Sequence, residues 1–346
     1  MRRHLNTLFV TLEGAYLKKD GAAIDIRHEG KSRLRVPLHN LDGIACFAWD
    51  CSASAALMAA CAEANVSLSF HNPNGKFLAA SNGFTTGNVL LRREQYRRAD
   101  REEDCLAIAS HLVAAKIANS RTNIQRALRD HGTKSIDRMD TLRMTSDALY
   151  PKIRSALVAE DVDSLRGIEG EAAACYFLGF SSMLTGCEGE FAMKGRSRRP
   201  ARDPINALLS LAYTLLMHDC RSALESCGLD PQCGFLHKDR PGRPSLALDL
   251  MEEFRACLAD RLVLTLINRK QIGRGDFQKE ESGAVLLKEA ARKKVYAAWQ
   301  ERKQTEILHP FLNEKTTVGL LPHLQARLLA RLLRGDLDGY PAYLQK

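Results

Sequence analysis

The chain has 346 residues, 45% hydrophobic and 26% charged, the make-up of an ordinary globular protein with room for two domains. No apolar run reaches the roughly 18 residues a membrane helix needs, and "MRRHLNTLFVTLEG" turns polar too early for a secretion signal, so a cytoplasmic protein is expected. The formal charge of +9 favours polyanionic partners, nucleic acid first among them.

Residues 1–82 read as a β-rich domain. "NTLFVTL", "AAIDIR", "SRLRVPL" and "DGIACFA" are short runs of β-branched and aromatic residues parted by Gly, Asp and Asn turns. One helix, "SASAALMAACAEAN", starts at a Ser N-cap and precedes the strand "VSLSF". "HNPNGKFLAA" then reads as a turn and a last strand. The character changes around "SNGFTTGN", which places the boundary between domains 1–82 and 83–346.

From Val89 the pattern is helical nearly to the end. "DCLAIASHLVAAKIANSRTNIQRALRD" has helical apolar spacing and leaves Lys116, Arg121 and Arg126 on its polar side. "DSLRGIEGEAAACYFLGFSSML" follows, with Asp163 or Ser164 as the expected cap. "PINALLSLAYTLLMHDCRSALESCG" opens with Pro204 and closes on Gly228. "LALDLMEEFRACLADRLVLTLINR" is long and strongly apolar. "LLPHLQARLLARLLRG" sets Arg327, Arg331 and Arg334 in one basic stripe. The expected class is therefore α+β, a small β-rich N-terminal domain followed by a larger all-α domain.

Ten cysteines include no C-x-x-C pair, so they are expected to be small buried apolar residues rather than disulfides or zinc ligands. The basic surplus is concentrated. "RREQYRRADR" and "KGRSRRPAR" hold five Lys or Arg each. Arg92, Arg93, Arg97 and Arg98 are either a solvated helix face or contacts to a DNA backbone, and Lys194 to Arg202 reads as a mobile loop that orders on DNA.

Chemistry concentrates in "GFLHKDRPGRPSLALDLMEEFR", Gly234 to Arg255. Leu246, Leu250, Phe254 and Leu258 form an inward stripe, and Asp249, Glu252 and Glu253 lie off it at spacings of three and four. Carboxylates near a helix start also suit the helix dipole, so a structural role is open for all three. His237 precedes a short basic loop, "KDRPGRPS", that can fold it back over these acids. An imidazole with carboxylates suits Mn²⁺ or Mg²⁺. Glu169 sits between Gly167 and Gly170, which would let another backbone or a ligand approach closely; an exposed glutamate on a glycine-loosened helix is the alternative. A divalent ion among basic residues points to phosphate chemistry, with Lys238, Arg240 and Arg243 nearest the ion and Arg327 and Arg331 as further DNA contacts.

At these residues the chain resembles the CRISPR-associated integrase family Cas1. The resemblance spans nearly the whole chain and is carried by "LRGIEGEAAACYF", "DPINALLSLAYTLL", "GLDPQCGFLHKDRPGRPSLALDLMEEFR" and "HPFLNEKTTVGLLPHLQARLLARLLRGDLDGYPAYL", the last most like the type I-C branch. It implies three metal ligands, Glu169, His237 and Glu252, with Asp249 supporting them and Glu253 an ordinary surface residue. It also implies a homodimer paired through the β-rich domains, assembly with the small partner Cas2, help from a Cas4 nuclease, and insertion of short DNA duplexes into the CRISPR repeat by 3′-hydroxyl attack. A metal-dependent nuclease of branched or single-stranded DNA, and a non-catalytic DNA-binding scaffold, are the alternatives.

Overall fold

The computed structural model describes residues 7–41, 43–64, 66–73, 77–81, 89–131, 136–185, 191, 193, 195–197 and 200–345. The expected junction at 82/83 lies outside them. The chain divides into two compact units, Met1–Thr86 with Glu289–Thr305, and Gly87–Lys288 with Glu306–Lys346.

The first unit is built from β1 (Thr7–Val10), β2 (Ala15–Asp20), β3 (Ala23–His28), β4 (Lys31–Pro37), β5 (Gly43–Phe47), β6 (Cys51–Ala53), α1 (Ala55–Glu63), β7 (Ser67–His71) and β8 (Phe77–Ser81). One sheet runs β4-β3-β2-β6 and the other β1-β5-β7-β8. Alternating side chains point Leu17, Ile24, Ile44 and Leu68 into a shared core, closed by Leu57 of α1. Ser54 caps α1, accepting the N–H of Leu57 as its sequence predicts. The helix Glu289–Lys303 also belongs to this unit. Its Tyr296 stacks on Phe9 at 4.9 Å between ring centroids and lies 4.7 Å from Phe47.

The second unit is mostly helical: α2 (Val89–Ala99), α3 (Glu102–His131), α4 (Ile136–Leu157), α5 (Val162–Phe180), α6 (Pro204–Ser226), α7 (Ser245–Phe254), α8 (Arg261–Asn268) and, counting Glu289–Lys303 as α9, α10 (Leu321–Leu333). It also holds two small hairpins, β9 (Phe277–Lys279) with β10 (Val285–Leu287) and β11 (Glu306–Leu308) with β12 (Lys315–Thr317), so it is not purely helical. Asp203 caps α6 ahead of Pro204, and Gly228 ends it in the left-handed region at φ +81°. The cap of α5 differs from expectation. Asp161, two residues before Asp163, has the extended backbone and accepts the N–H of Ser164 at 2.7 Å, because buried Val162 already opens the helix.

The long apolar helix is broken. α7 and α8 are separated by a π-helical segment, Arg255–Asp260, a wide turn of the kind often found at functional sites. α7 packs against α3, α6 and α10 and is buried on every side. Its acids are therefore interior groups, and Asp249 lies beyond the first turn, where the dipole has faded. All nine described cysteines are free, five of them buried. Among the described residues no helix is long and apolar enough to cross a membrane.

Candidate metal centre

The segment Gly234–His237 wraps the carboxylate of Asp249, which is fully buried on α7. Oδ2 accepts the N–H of Phe235 at 2.6 Å and of Leu236 at 2.9 Å, while Oδ1 accepts the N–H of His237 at 3.0 Å and stands 2.6 Å from its Nδ1. Gly234 makes this approach possible, since a Cβ there would fall 2.8 Å from both Asp249 Oδ2 and Ser245 Cβ. A carboxylate surrounded by donors leaves Nδ1 as the protonated nitrogen of His237. Nε2 then keeps its lone pair and faces Glu252, with Oε1 3.9 Å away. Metal-binding histidines are held in this way.

Two further contacts fix the loop. Arg166 of α5 donates from Nε to the Leu236 carbonyl at 2.7 Å. Gln95 of α2, fully buried, accepts the N–H of Asp230 at 2.9 Å and donates to the carbonyls of Asp230 at 2.8 Å and Cys233 at 2.9 Å. α2 is thereby tied to the segment that delivers His237.

Glu252 lies on α7 and Glu169 on α5. Lys116 of α3 joins them: its Nζ contacts Glu169 Oε1 and stands 2.6 Å from Glu252 Oε2, and Arg255 Nε is 2.9 Å from the same oxygen. Burial works to raise the pKa of Glu252, but Arg255, Lys116 and His237 outweigh it and hold the group down at about 2. Arg255 is itself fixed, lying 4.6 Å over the ring of Tyr213, whose hydroxyl donates to Asp260 at 2.6 Å. Glu252 is 3% exposed, whereas Glu169 and His237 keep 25% and 21%, so the centre opens to solvent on their side. A Cβ added at Gly167 or Gly170 would meet nothing within 4 Å, leaving the approach past Glu169 clear.

The structure thus joins Glu169 and Glu252 through Lys116 and turns His237 toward Glu252, with Asp249 behind His237. Among the described residues no three His, Cys, Asp or Glu side chains already form a metal cage, because the ammonium of Lys116 stands between the two glutamates. The donors nonetheless suit a hard divalent ion. Two carboxylates share one cation, and the imidazole nitrogen turned away from Asp249 faces one of them.

Glu253 is not a surface residue. It is fully buried, accepting from the Tyr340 hydroxyl at 2.6 Å, from Gln325 Nε2 at 3.0 Å and from the N–H of Tyr343. Burial raises its pKa to about 7 against the pull of these three donors. The surface expectation fails because the C-terminal segment returns to cover this face of α7. Arg255 is a further functional residue whose signal in the sequence is its position three residues after Glu252, a helical pairing distance.

The candidate DNA contacts occupy several places. Lys238, 64% exposed, stands 3.3 Å from Asp163, while Arg240 is exposed and Arg243 half-buried. On α2, Arg98 bonds Glu94 at 3.0 Å and Arg97 is 3.8 Å from it, leaving Arg93 exposed and Arg92 half-buried. α10, which packs against α2, exposes Arg327 and Arg331. Of the loop Lys194 to Arg202, Lys194, Arg198 and Arg199 lie outside the described residues. Arg196 departs from a solvent-facing loop by turning inward, donating to Asn206 Oδ1 at 2.6 Å and lying 5.2 Å over Tyr213.

Residues 8–301 match the family described as CRISPR associated protein Cas1. The chain is 51% identical over 344 residues to "CRISPR-associated endonuclease Cas1 1" of Chlorobaculum tepidum, covering 99% of each. It is 36% identical to a Geobacter sulfurreducens "CRISPR-associated exonuclease Cas4/endonuclease Cas1 fusion", covering 98% of this chain and 60% of that protein. In fold it resembles a casposase bound to integration product (TM-score 0.84, 23% identity, 98% of this chain and 94% of that one). It also resembles a chain of a Cas6-RT-Cas1–Cas2 complex (TM-score 0.82, 23% identity, 100% of this chain and 37% of that one).

Proposed function

The chain belongs to the Cas1 family of CRISPR-associated endonucleases, and on that premise we propose that it inserts short DNA fragments into the CRISPR repeat, using Glu169, His237 and Glu252 to hold one Mn²⁺ or Mg²⁺. The observation that carries the ligand assignment is the convergence of Glu169 and Glu252 on a single cation while Asp249 leaves His237 Nε2 facing Glu252. A bound divalent ion supplies Lewis acidity at a phosphoryl oxygen.

The remaining work falls to the chain itself. Asp249 fixes the tautomer and direction of His237. Arg255, locked over Tyr213, keeps Glu252 ionised and aimed. Lys238, Arg240 and Arg243, on the loop after His237, hold the DNA backbone in register, and Arg92, Arg93, Arg97, Arg98, Arg327 and Arg331 extend the basic surface along α2 and α10. In the reaction a fragment's 3′-hydroxyl attacks a repeat phosphodiester. One P–O bond forms as another breaks, and the displaced strand keeps the leaving 3′-oxygen.

Domain 1–82 is assigned to dimerisation, and Leu12, Tyr16, Leu34 and Trp49 are exposed apolar side chains on it that a partner would cover. Assembly with Cas2 is supported by the fold likeness to a chain of a Cas1–Cas2 complex, and cooperation with Cas4 by the relative in which Cas4 and Cas1 are fused. A cytoplasmic location and the type I-C branch complete the proposal, the latter on the C-terminal segment His309–Leu344.

The test supplies a duplex with free 3′ ends and a repeat-bearing plasmid, with Mn²⁺. Joined products support integration, whereas nicks without joining reduce the activity to nuclease. His237→Ala should abolish joining and leave DNA affinity within about twofold. Robust joining by that variant would remove His237 from the site.

A further inference from the structure

We propose that Lys116 is the resident counter-cation of this centre, holding Glu169 and Glu252 together in the metal-free protein and giving way when the divalent ion enters. The proposal rests on the ligand assignment above and deepens it. Two carboxylates from different helices meet on one ammonium that is only 12% exposed. Without that charge, two acids drawn together in a poorly solvated place would repel, and α3, α5 and α7 would part at their point of contact. A divalent ion and this ammonium compete for the same pair of oxygens, so they exclude one another.

Arg255 touches the same Glu252 oxygen, yet it is Lys116 that moves. Arg255 is clamped over the Tyr213 ring at the start of the π-helical segment. A lysine instead carries a compact charge on a flexible four-carbon stem. There is also somewhere for it to go. Lys116 lines a cavity whose walls include Ser120, Tyr176, Tyr213 and Asp260, which offer three hydroxyls, a carboxyl and apolar ring faces, beside the guanidiniums of Arg196 and Arg255. Withdrawn along α3, the ammonium would stay beside the centre and keep a positive charge near incoming phosphate.

Three measurements decide the matter. Calorimetry with Mn²⁺ should show Lys116→Met binding the ion about tenfold more tightly than wild type, because nothing has to be displaced. The metal-free variant should melt below wild type, and saturating Mn²⁺ should close the gap. In wild type, acetic anhydride footprinting read by mass spectrometry should label Lys116 severalfold faster with Mg²⁺ present, while Lys152, paired with Glu171 at 2.7 Å, is unchanged. The footprint needs no variant, so it still decides if Lys116→Met fails to fold. Equal or weaker Mn²⁺ binding by the variant, or Lys116 labelling that Mg²⁺ leaves unchanged or slows, overturns the exchange and leaves the ligand assignment standing. If neither protein binds Mn²⁺, the exchange and the ligand assignment fall together.

Discussion

Asp249→Asn is nearly isosteric, yet it should disable the centre through a nitrogen it never touches. Asp249 accepts four contacts, two on each oxygen. An amide has one acceptor oxygen. If that oxygen keeps the N–H groups of Phe235 and Leu236, its NH₂ faces the N–H of His237, which loses its acceptor, and Nδ1, which must now accept. The imidazole proton then moves to Nε2, the atom directed at Glu252, and an N–H cannot bind a metal. The opposite amide orientation preserves the tautomer but strands two buried N–H groups on Phe235 and Leu236. Orphaning one or two such donors costs about 1–3 kcal/mol each, so the variant should lose about 3 kcal/mol of stability. Loss of the orienting partner should weaken Mn²⁺ binding about 10- to 100-fold. Urea denaturation followed by circular dichroism measures the first, and calorimetry with Mn²⁺, on protein shown to be folded, the second. An Asp249→Asn protein with wild-type stability and with Mn²⁺ affinity within twofold of wild type would refute the claim that Asp249 selects the tautomer of His237.

Three other outcomes follow from the same geometry. Glu253 has its folded pKa raised to about 7 from the ordinary 4.5, so the stability it contributes is fully present below pH 4.5 and is lost as pH rises through 7, on the order of 3 kcal/mol in all. Glu253→Gln should flatten the stability profile between pH 5 and 7, leaving the smaller slope of the same sign from Asp260, raised to about 6; an unaltered profile would place the titration elsewhere. Gly234→Ala should push the His237 loop off Asp249 and lower both stability and Mn²⁺ affinity, and wild-type values for both would contradict the close approach. Replacing Lys238 and Arg240 together by Ala should reduce the slope of log affinity against log salt by about 2 in duplex binding by anisotropy, and an unchanged slope would exclude them as phosphate contacts.

Most of the architecture follows from local pattern. Strands β1, β3, β4, β5, β7 and β8 are visible as short alternating runs, and the caps and prolines of α1 and α6 mark their ends. Elements whose burial depends on distant partners are harder to see. β2, "AYLKKD", is a paired inner strand, but with two lysines and an aspartate only Ala15 and Leu17 are buried. α4 carries Pro151 in its interior, and α9 is so polar that its burial of Tyr296 and Trp299 emerges only on packing. Strands of three residues, such as β9 to β12, are too short for any period to register.

The acids of α7 show how helical spacing can group residues correctly and still misjudge their exposure. Asp249, Glu252 and Glu253 fall within one turn, and a helix with one apolar stripe turns its other face to water. Here each acid leaves the helix toward a different partner. Asp249 points to a loop 12 to 14 residues earlier, Glu252 to Lys116 and Arg255, and Glu253 to Tyr340 and Tyr343 some 90 residues later. The spacing allows all three to act but cannot separate them, because what distinguishes a ligand from a support is the chemistry that arrives from elsewhere in the chain. Asn119 completes the enclosure, donating at 2.8 Å to the carbonyls of both Glu253 and Tyr343, so the C-terminal segment is fastened to α7 and to α3, the helix that carries Lys116. The face of α7 that carries Glu252 and the face covered by the C-terminal segment are two sides of one buried helix. Removing the segment should therefore loosen Glu252 as well as expose Glu253.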